Sequence, residues 1–152
     1  MYALRPGFST CQCSSKAVPQ FILDSLILSN RGSKASILIT QPRRLSAIGV
    51  ATRVSAERME DGSVGYAIRG ESRQTPKTKL LFCTTGIVLR RLSLGDRLED
   101  VTHVVVDEVR ASIKLSTALI DSVRFTKDPS MEIFCFSNSR SSSKSIPVSR
   151  LF

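Results

Sequence analysis

Four short polar clusters each follow directly on an apolar run in this 152-residue chain. Gln41-Pro42-Arg43-Arg44 comes after SILIT (Ser36 to Thr40), Thr84-Thr85-Gly86 after LLFC, Asp107-Glu108 after HVVV and Ser137-Asn138-Ser139 after EIFCF. Arginines, hydroxyls and a glycine that lets the backbone come close are groups that hold phosphate oxygens, whereas a carboxylate pair suits a hydrated metal ion. If the apolar runs are strands of one parallel sheet, all four clusters emerge on one edge, because the ligand crevice of an open α/β sheet lies beyond the carboxyl ends of its strands. A plainer reading stands beside the chemical one. Arg43 and Arg44 suit a solvated helix start, and Asp107-Glu108 suits an ordinary strand-to-helix turn, since Asp favours helix N-termini.

Hydrophobic period predicts the elements that must position these clusters. Val18 to Asn30 places Phe21, Ile22, Ser25, Leu26 and Ser29 at helical spacing, with Pro19 in the first turn. Arg31-Gly32-Ser33 is the stop signal. SILIT, β-branched and too brief for a helix, predicts a buried strand. Leu45 to Met59 returns to helical period through Leu45, Ile48, Ala51 and Val54. A glycine-rich stretch, DGSVGYAIRGES, then leads to a strand at Lys79 to Cys83 and a helix from Gly86 to about Leu94. A third strand is expected at Thr102 to Val106, a weaker helix over 111–125 and a fourth strand at Met131 to Phe136. Strands alternating with helices of this length give an α/β fold on a mostly parallel sheet. The stretch 140–152 is serine-rich and basic with almost no apolar pattern, the composition of a disordered tail. No internal repeat is found.

With 41% hydrophobic residues the chain can build one modest core. The formal net charge of +9 favours a polyanionic partner, since clustered Lys and Arg release counterions from nucleic-acid phosphates; a merely solvated basic surface is the alternative. Cys83 and Cys135 sit inside apolar runs as small hydrophobes, and Cys11 and Cys13 form a CxC without a second pair. With His103 the single histidine, neither a disulfide framework nor a zinc site is expected. No apolar run approaches the roughly 18 residues of a membrane span, and MYALRPGFST has no hydrophobic core of a signal peptide. An intracellular, soluble protein is expected.

At this point the sequence resembles a family. ILITQPRRLSAIGVATRVSAER is similar to motif Ia of the DEAH-box helicases, KLLFCTTGIVLRRL to motif Ib and VTHVVVDEVR to motif II. GSVGYAIRGES resembles the segment linking the first two, and VPQFILD the helix after the phosphate loop. The resemblance runs over residues 7 to 139, is dense between 18 and 110, and is nearest the DEVH-type subgroup. It implies the first RecA-like (ATP-binding) domain of an ATP-dependent RNA helicase, present in part over 18–139. The implied fold is a three-layer parallel sheet of the P-loop NTPase type, the cofactors are ATP and Mg²⁺, and the partner is RNA, in cytoplasm or nucleus. By resemblance, Pro42, Arg43, Arg44, Thr84, Thr85 and Gly86 meet RNA backbone phosphates. Asp107 holds Mg²⁺ through water, Glu108 polarises the attacking water, and Ser137 and Ser139 stand where the family's coupling motif SAT lies.

The pattern breaks at the phosphate loop, over 1–17. Anchored on Val18-Pro19-Gln20, the family loop falls on Phe8 to Ala17, where Thr10 and Ser15 match but Phe8, Cys11 and Cys13 replace glycines and Ser14 replaces the lysine. A phosphate loop needs glycines so that successive N–H groups point inward, and a lysine to neutralise charge. Using Lys16 instead puts Ala17 at the Mg²⁺-binding hydroxyl position. Charge-assisted hydrogen bonds contribute about 1.5–3 kcal/mol each, so losing two or three weakens nucleotide binding by roughly a hundredfold or more. Only MYALRP precedes Gly7, too little for the strand that leads into the loop, so an incomplete core is expected. Motif II reads Asp107-Glu108-Val109-Arg110, and Arg110 cannot relay a hydrogen bond as the family's histidine can.

Three readings follow: a helicase ATP-binding segment that does not turn over ATP alone, a non-catalytic RNA-binding module using Arg43, Arg44, Arg90 and Arg91, or a non-functional relic of a helicase gene. If the chain folds, Thr40, Thr84 and Asp107 must lie at the ends of neighbouring strands.

Overall fold

The computed structural model describes residues 14–96, 98, 100–107 and 132–135, the residues 14, 15 and 132–135 by their backbone alone. In chain order the elements are α1 (Ser14–Leu28), a 3-10 turn (Gly32–Lys34), β1 (Ile37–Gln41), α2 (Arg44–Glu57), β2 (Val64–Ile68), β3 (Glu71–Arg73), β4 (Leu80–Thr84), α3 (Thr85–Ser93), β5 (His103–Val106) and β6 (Glu132–Cys135). The strands form one sheet in the order β3-β2-β4-β1-β5-β6. All pairings are parallel except β2 with β3. The expected α/β class and mostly parallel sheet are therefore found.

Side-chain alternation along the strands divides the core into two faces. Ile37, Ile39, Leu80, Phe82 and Val105 pack against Leu23 and Leu26 of α1 and Ala51 and Val54 of α2. Leu38, Cys83, Val104 and Val106 point the other way, onto Val88 of α3 and the following Leu98 and Val101. Two helices on one face and one on the other give the three layers. β1 pairs on both sides and is buried along its whole length, which is why SILIT carries no polar alternation.

The helix ends differ from the sequence expectation in two places. α1 begins at Ser14 rather than Val18, so Pro19 lies in the second turn, where it withholds one i→i−4 bond instead of being harmless in the first. α1 ends at Leu28, two residues before the expected end at Asn30. Asn30 takes φ 58, its N–H bonds Ile27 O at 3.0 Å and the Arg31 N–H bonds Leu26 O at 2.8 Å, the paired closure that asparagine tolerates. Arg58, just past α2, then ties the layer together: Nη1 meets Asp24 Oδ1 at 3.0 Å and Nε meets Ser63 Oγ at 3.3 Å.

The glycine-rich stretch is not a plain linker. It folds into the β2–β3 hairpin, turning at Arg69-Gly70 with Gly70 at φ 86. Gly65 is demanded by close approach, since a Cβ there would sit 2.6 Å from Arg73 O. The predicted helix over 111–125 and the stretch 140–152 lie outside the described residues, as do Cys11 and Cys13 and the side chain of Cys135. No helix among the described residues is long and apolar enough to cross a membrane.

Candidate nucleic-acid interface

The sheet register sets the site. Thr40 lies opposite Cys83 of β4 and Val106 of β5, and Gln41 opposite Thr84. The carboxyl ends of β4, β1 and β5 are thus neighbours, and Thr84, Thr40 and Asp107 stand side by side as expected. Three of the four polar clusters share that edge. Thr102, at the other end of β5, keeps it aligned with β1: its hydroxyl accepts from the Ser36 N–H at 3.1 Å and donates to Ser36 O at 2.9 Å.

Pro42 and Arg43 make the whole connection from β1 to α2. Arg43 is the N-cap residue, extended at φ −113 and ψ 137, and its side chain is exposed. Arg44 opens the helix, and its Nη2 donates to Arg69 O at 3.1 Å, joining this turn to the β2–β3 hairpin. Thr84 is the N-cap of α3, followed by half-buried Thr85 and exposed Gly86. Among the described residues neither N-cap side chain, Arg43 or Thr84, makes a capping hydrogen bond, and neither first turn carries an acidic residue. Two N-termini, each with the positive end of a helix dipole, therefore open next to one another. A Cβ built on Gly86 would meet nothing within 4 Å among the described residues, so none of them demands glycine there.

Asp107 immediately follows β5, half-buried. Its N–H donates to Thr40 O at 3.3 Å and its Oδ2 accepts from Gln41 Nε2 at 2.9 Å. Gln41 belongs to the first polar cluster, but no local signal marks this bond, because its partner lies 66 residues on. One carboxylate of this kind fits Mg²⁺, which keeps several waters and takes one or two protein carboxylates beside phosphate oxygens. No group of three His, Cys, Asp or Glu able to enclose a metal occurs among the described residues. Glu108 and Arg110, Thr10, and Ser137 and Ser139 lie outside the described residues; Ser14 and Ser15 form the first turn of α1, their side chains undescribed.

Of the four arginines read as a phosphate-tracking face, Arg43 and Arg44 stand at the β1–α2 turn and the other two on α3. Arg90 and Arg91 sit in the last turn of α3, away from its N-terminus, and Arg91 is engaged by Asp96 at 2.7 Å and Asp100 at 3.1 Å. Burial works against the Arg91 charge, but the two carboxylates outweigh it and raise its pKa. Cys83 is a packing residue as expected: its thiol, pushed up to about 12 by burial, is a poor nucleophile and metal ligand.

No protein-family model matches the chain. Individual proteins do. The DExH-box ATP-dependent RNA helicase DExH1 of Arabidopsis thaliana is 55% identical over 94 residues, 60% of this chain and 9% of the relative. The mouse ATP-dependent RNA helicase DHX29 is 48% identical over 103 residues, 62% of this chain and 8% of its own length. The mouse ATP-dependent DNA/RNA helicase DHX36 is 45% identical over 120 residues, 73% of this chain and 12% of its own. The chain thus spans about a tenth of the curated relatives it matches. Identity at this level, over a stretch folded as a partial RecA-like sheet, means that the chain carries a segment of a DExH/DEAH-box helicase.

Proposed function

We propose that this chain binds single-stranded RNA by its phosphate backbone along the carboxyl edge of the sheet, and that it does not turn over ATP. The observation that carries this reading is the pair of helix N-termini, α2 and α3, opening at adjacent strand ends between exposed Arg43 and exposed Gly86. Backbone N–H groups there attract anions. Arg43 adds a planar fork that matches a phosphate, Thr84 and Thr85 add hydroxyls, and the open space at Gly86 leaves room for a ligand against the backbone. Contacts of this kind follow the sugar–phosphate chain and carry no base preference. The net charge of +9 supports the same class of partner. RNA is also the substrate class in the names of the relatives, whose helicase activity belongs to proteins of which the matched stretch is less than a tenth.

Mg²⁺, if bound at Asp107, would neutralise phosphate charge there, and Glu108 would be the group beside it able to polarise a water. The triphosphate of ATP does not fit. Phe8 to Ala17 contains no glycine, serine stands at the lysine position and Lys16 is displaced from it by two residues, so the groups that cradle and neutralise the phosphates are missing from their family positions.

Fluorescence anisotropy with a labelled oligouridylate tests the reading. Affinity should fall as salt rises, with a slope near −0.7 per phosphate neutralised. Replacing Arg43 and Arg44 by Ala together should flatten that slope by about 1 or more. No binding, or binding indifferent to both arginines, would overturn it.

A further inference from the structure

We propose that Ser93, at the end of α3, is a site of phosphorylation by an arginine-directed protein kinase, and that the phosphate loosens the α3–β5 connection. Two serines of the chain follow an Arg-Arg-Leu triplet, in Arg43-Arg44-Leu45-Ser46 and Arg90-Arg91-Leu92-Ser93, and the fold makes only the second of them accessible.

Two guanidiniums shortly before a hydroxyl suit a substrate groove lined with carboxylates, since each planar fork can be held by charge-assisted hydrogen bonds. A groove of this kind takes the chain extended, so a helical site must first unwind, and the ease of unwinding separates the two tetrapeptides. Arg90 and Ser93 are exposed, and Leu94, the C-cap ahead of Gly95 at φ 81, is 78% exposed. Arg91 and Leu92 are half-buried, so opening this last turn draws no buried side chain from the core. The Ser93 hydroxyl donates to Leu89 O at 2.8 Å at the surface, where water can replace the bond. Leu94 then presents an apolar side chain directly after the serine. Ser46 has the same three residues before it and none of this freedom. It is half-buried in the first turn of α2, Arg44 is tied to Arg69 O at 3.1 Å, and Ala47 directly after it is fully buried. Extending that tetrapeptide would pull Ala47 out of the core.

In the transfer, Ser93 Oγ attacks the γ-phosphorus of the kinase's ATP. The Oγ–P bond forms, the bond from that phosphorus to the oxygen bridging it to the β-phosphate breaks with ADP as leaving group, and the hydroxyl proton passes to the kinase's general base. The product adds about −1.5 to −2 charges at the negative end of the α3 dipole. Asp96 and Asp100, in the connection that follows, hold Arg91 at 2.7 and 3.1 Å. The phosphate competes with them for that guanidinium and repels both carboxylates. Leu98 and Val101, in the same connection, are core residues, so loosening it reaches the packing beneath α3.

The test treats the natural chain, and separate peptides spanning 40–49 and 87–96, with ATP and the catalytic subunit of cyclic-AMP-dependent protein kinase, and reads phosphate at each serine by peptide mapping. The two peptides, free of the fold, set the reference ratio of Ser93 to Ser46 labelling. In the folded chain that ratio should rise by about tenfold or more, because Ser46 must open a buried turn before it can react. Arg90→Ala, made in the chain and in the peptide, should slow labelling of Ser93 by about tenfold. The phosphorylated chain should show an unfolding equilibrium constant about two- to fivefold larger in urea than Ser93→Ala treated in the same way, which corrects for phosphate elsewhere. No labelling of Ser93, a folded-chain ratio equal to that of the peptides, or labelling indifferent to Arg90 overturns the site. A phosphorylated chain as stable as the treated Ser93→Ala overturns its effect on the connection.

Discussion

Arg91 and Asp96 are joined across the end of α3, guanidinium Nε to carboxylate Oδ2 at 2.7 Å, and Asp100 takes a second nitrogen of the same fork at 3.1 Å. The second arginine of the Arg90-Arg91 pair thus holds the α3–β5 connection. Arg91→Ala should lower stability by about 1 kcal/mol, since the pair is about a third exposed and solvent screens it. The salt slope of RNA binding should stay as it is. Urea unfolding and the anisotropy titration check the two halves; a flattened slope would return Arg91 to the RNA face.

Acid should act on the same connection. The Asp96 carboxyl lies below its ordinary value of 3.8, first through the Leu98 N–H that bonds Oδ1 at 2.8 Å and then through Arg91, with burial opposing. A folded-state value below the unfolded one gives stability that is present above the unfolded value and lost as pH falls through the folded one. Asp96→Asn should therefore be less stable than the natural chain at neutral pH, and the two should converge below about pH 4. Urea midpoints across that range decide it; a constant gap would contradict the assignment.

Thr40 Oγ1 is fully buried and lacks a hydrogen-bond partner among the described residues. It lies between Cys83 and Val106, on the apolar α3 face. Thr40→Val keeps the shape and removes the unsatisfied hydroxyl, and should stabilise the fold by about 1 kcal/mol. Loss of stability would mean that the hydroxyl has a partner in solution.

Gly65→Ala should do the reverse. With Arg73 O only 2.6 Å from the new Cβ, β2 and β3 must move apart, at a cost of about 1–3 kcal/mol. Hydrogen exchange should show the hairpin amides, Tyr66 to Arg73, losing protection before those of β1 and β4. An unchanged exchange pattern would show that the hairpin relaxes freely.

The sequence made the site's frame legible because each functional cluster follows a short, buried apolar run. ILIT, LLFC and HVVV have few alternatives to central parallel strands, and once they are neighbours Thr40, Thr84 and Asp107 must be too. The hairpin at 64–73 was hidden because Gly62, Gly65 and Gly70 dilute strand propensity, although Val64, Tyr66 and Ile68 alternate. Pro19 pointed to a later helix start because its cost inside α1 is repaid by packing, which period alone does not show. The Arg91–Asp96–Asp100 cluster and the Gln41–Asp107 bond depend on where the chain returns, and no local pattern announces either.

If the helicase segment has lost only its phosphate loop, the sheet should still accept a nucleotide once that loop is restored. Calorimetric titration with MgATP, on the natural chain and on a variant in which residues 8–17 are rebuilt to the helicase loop, decides this. No binding by the natural chain and clear binding by the rebuilt one are expected. Binding by the natural chain would contradict it, and would mean that Phe8 to Ala17 holds a triphosphate without glycines.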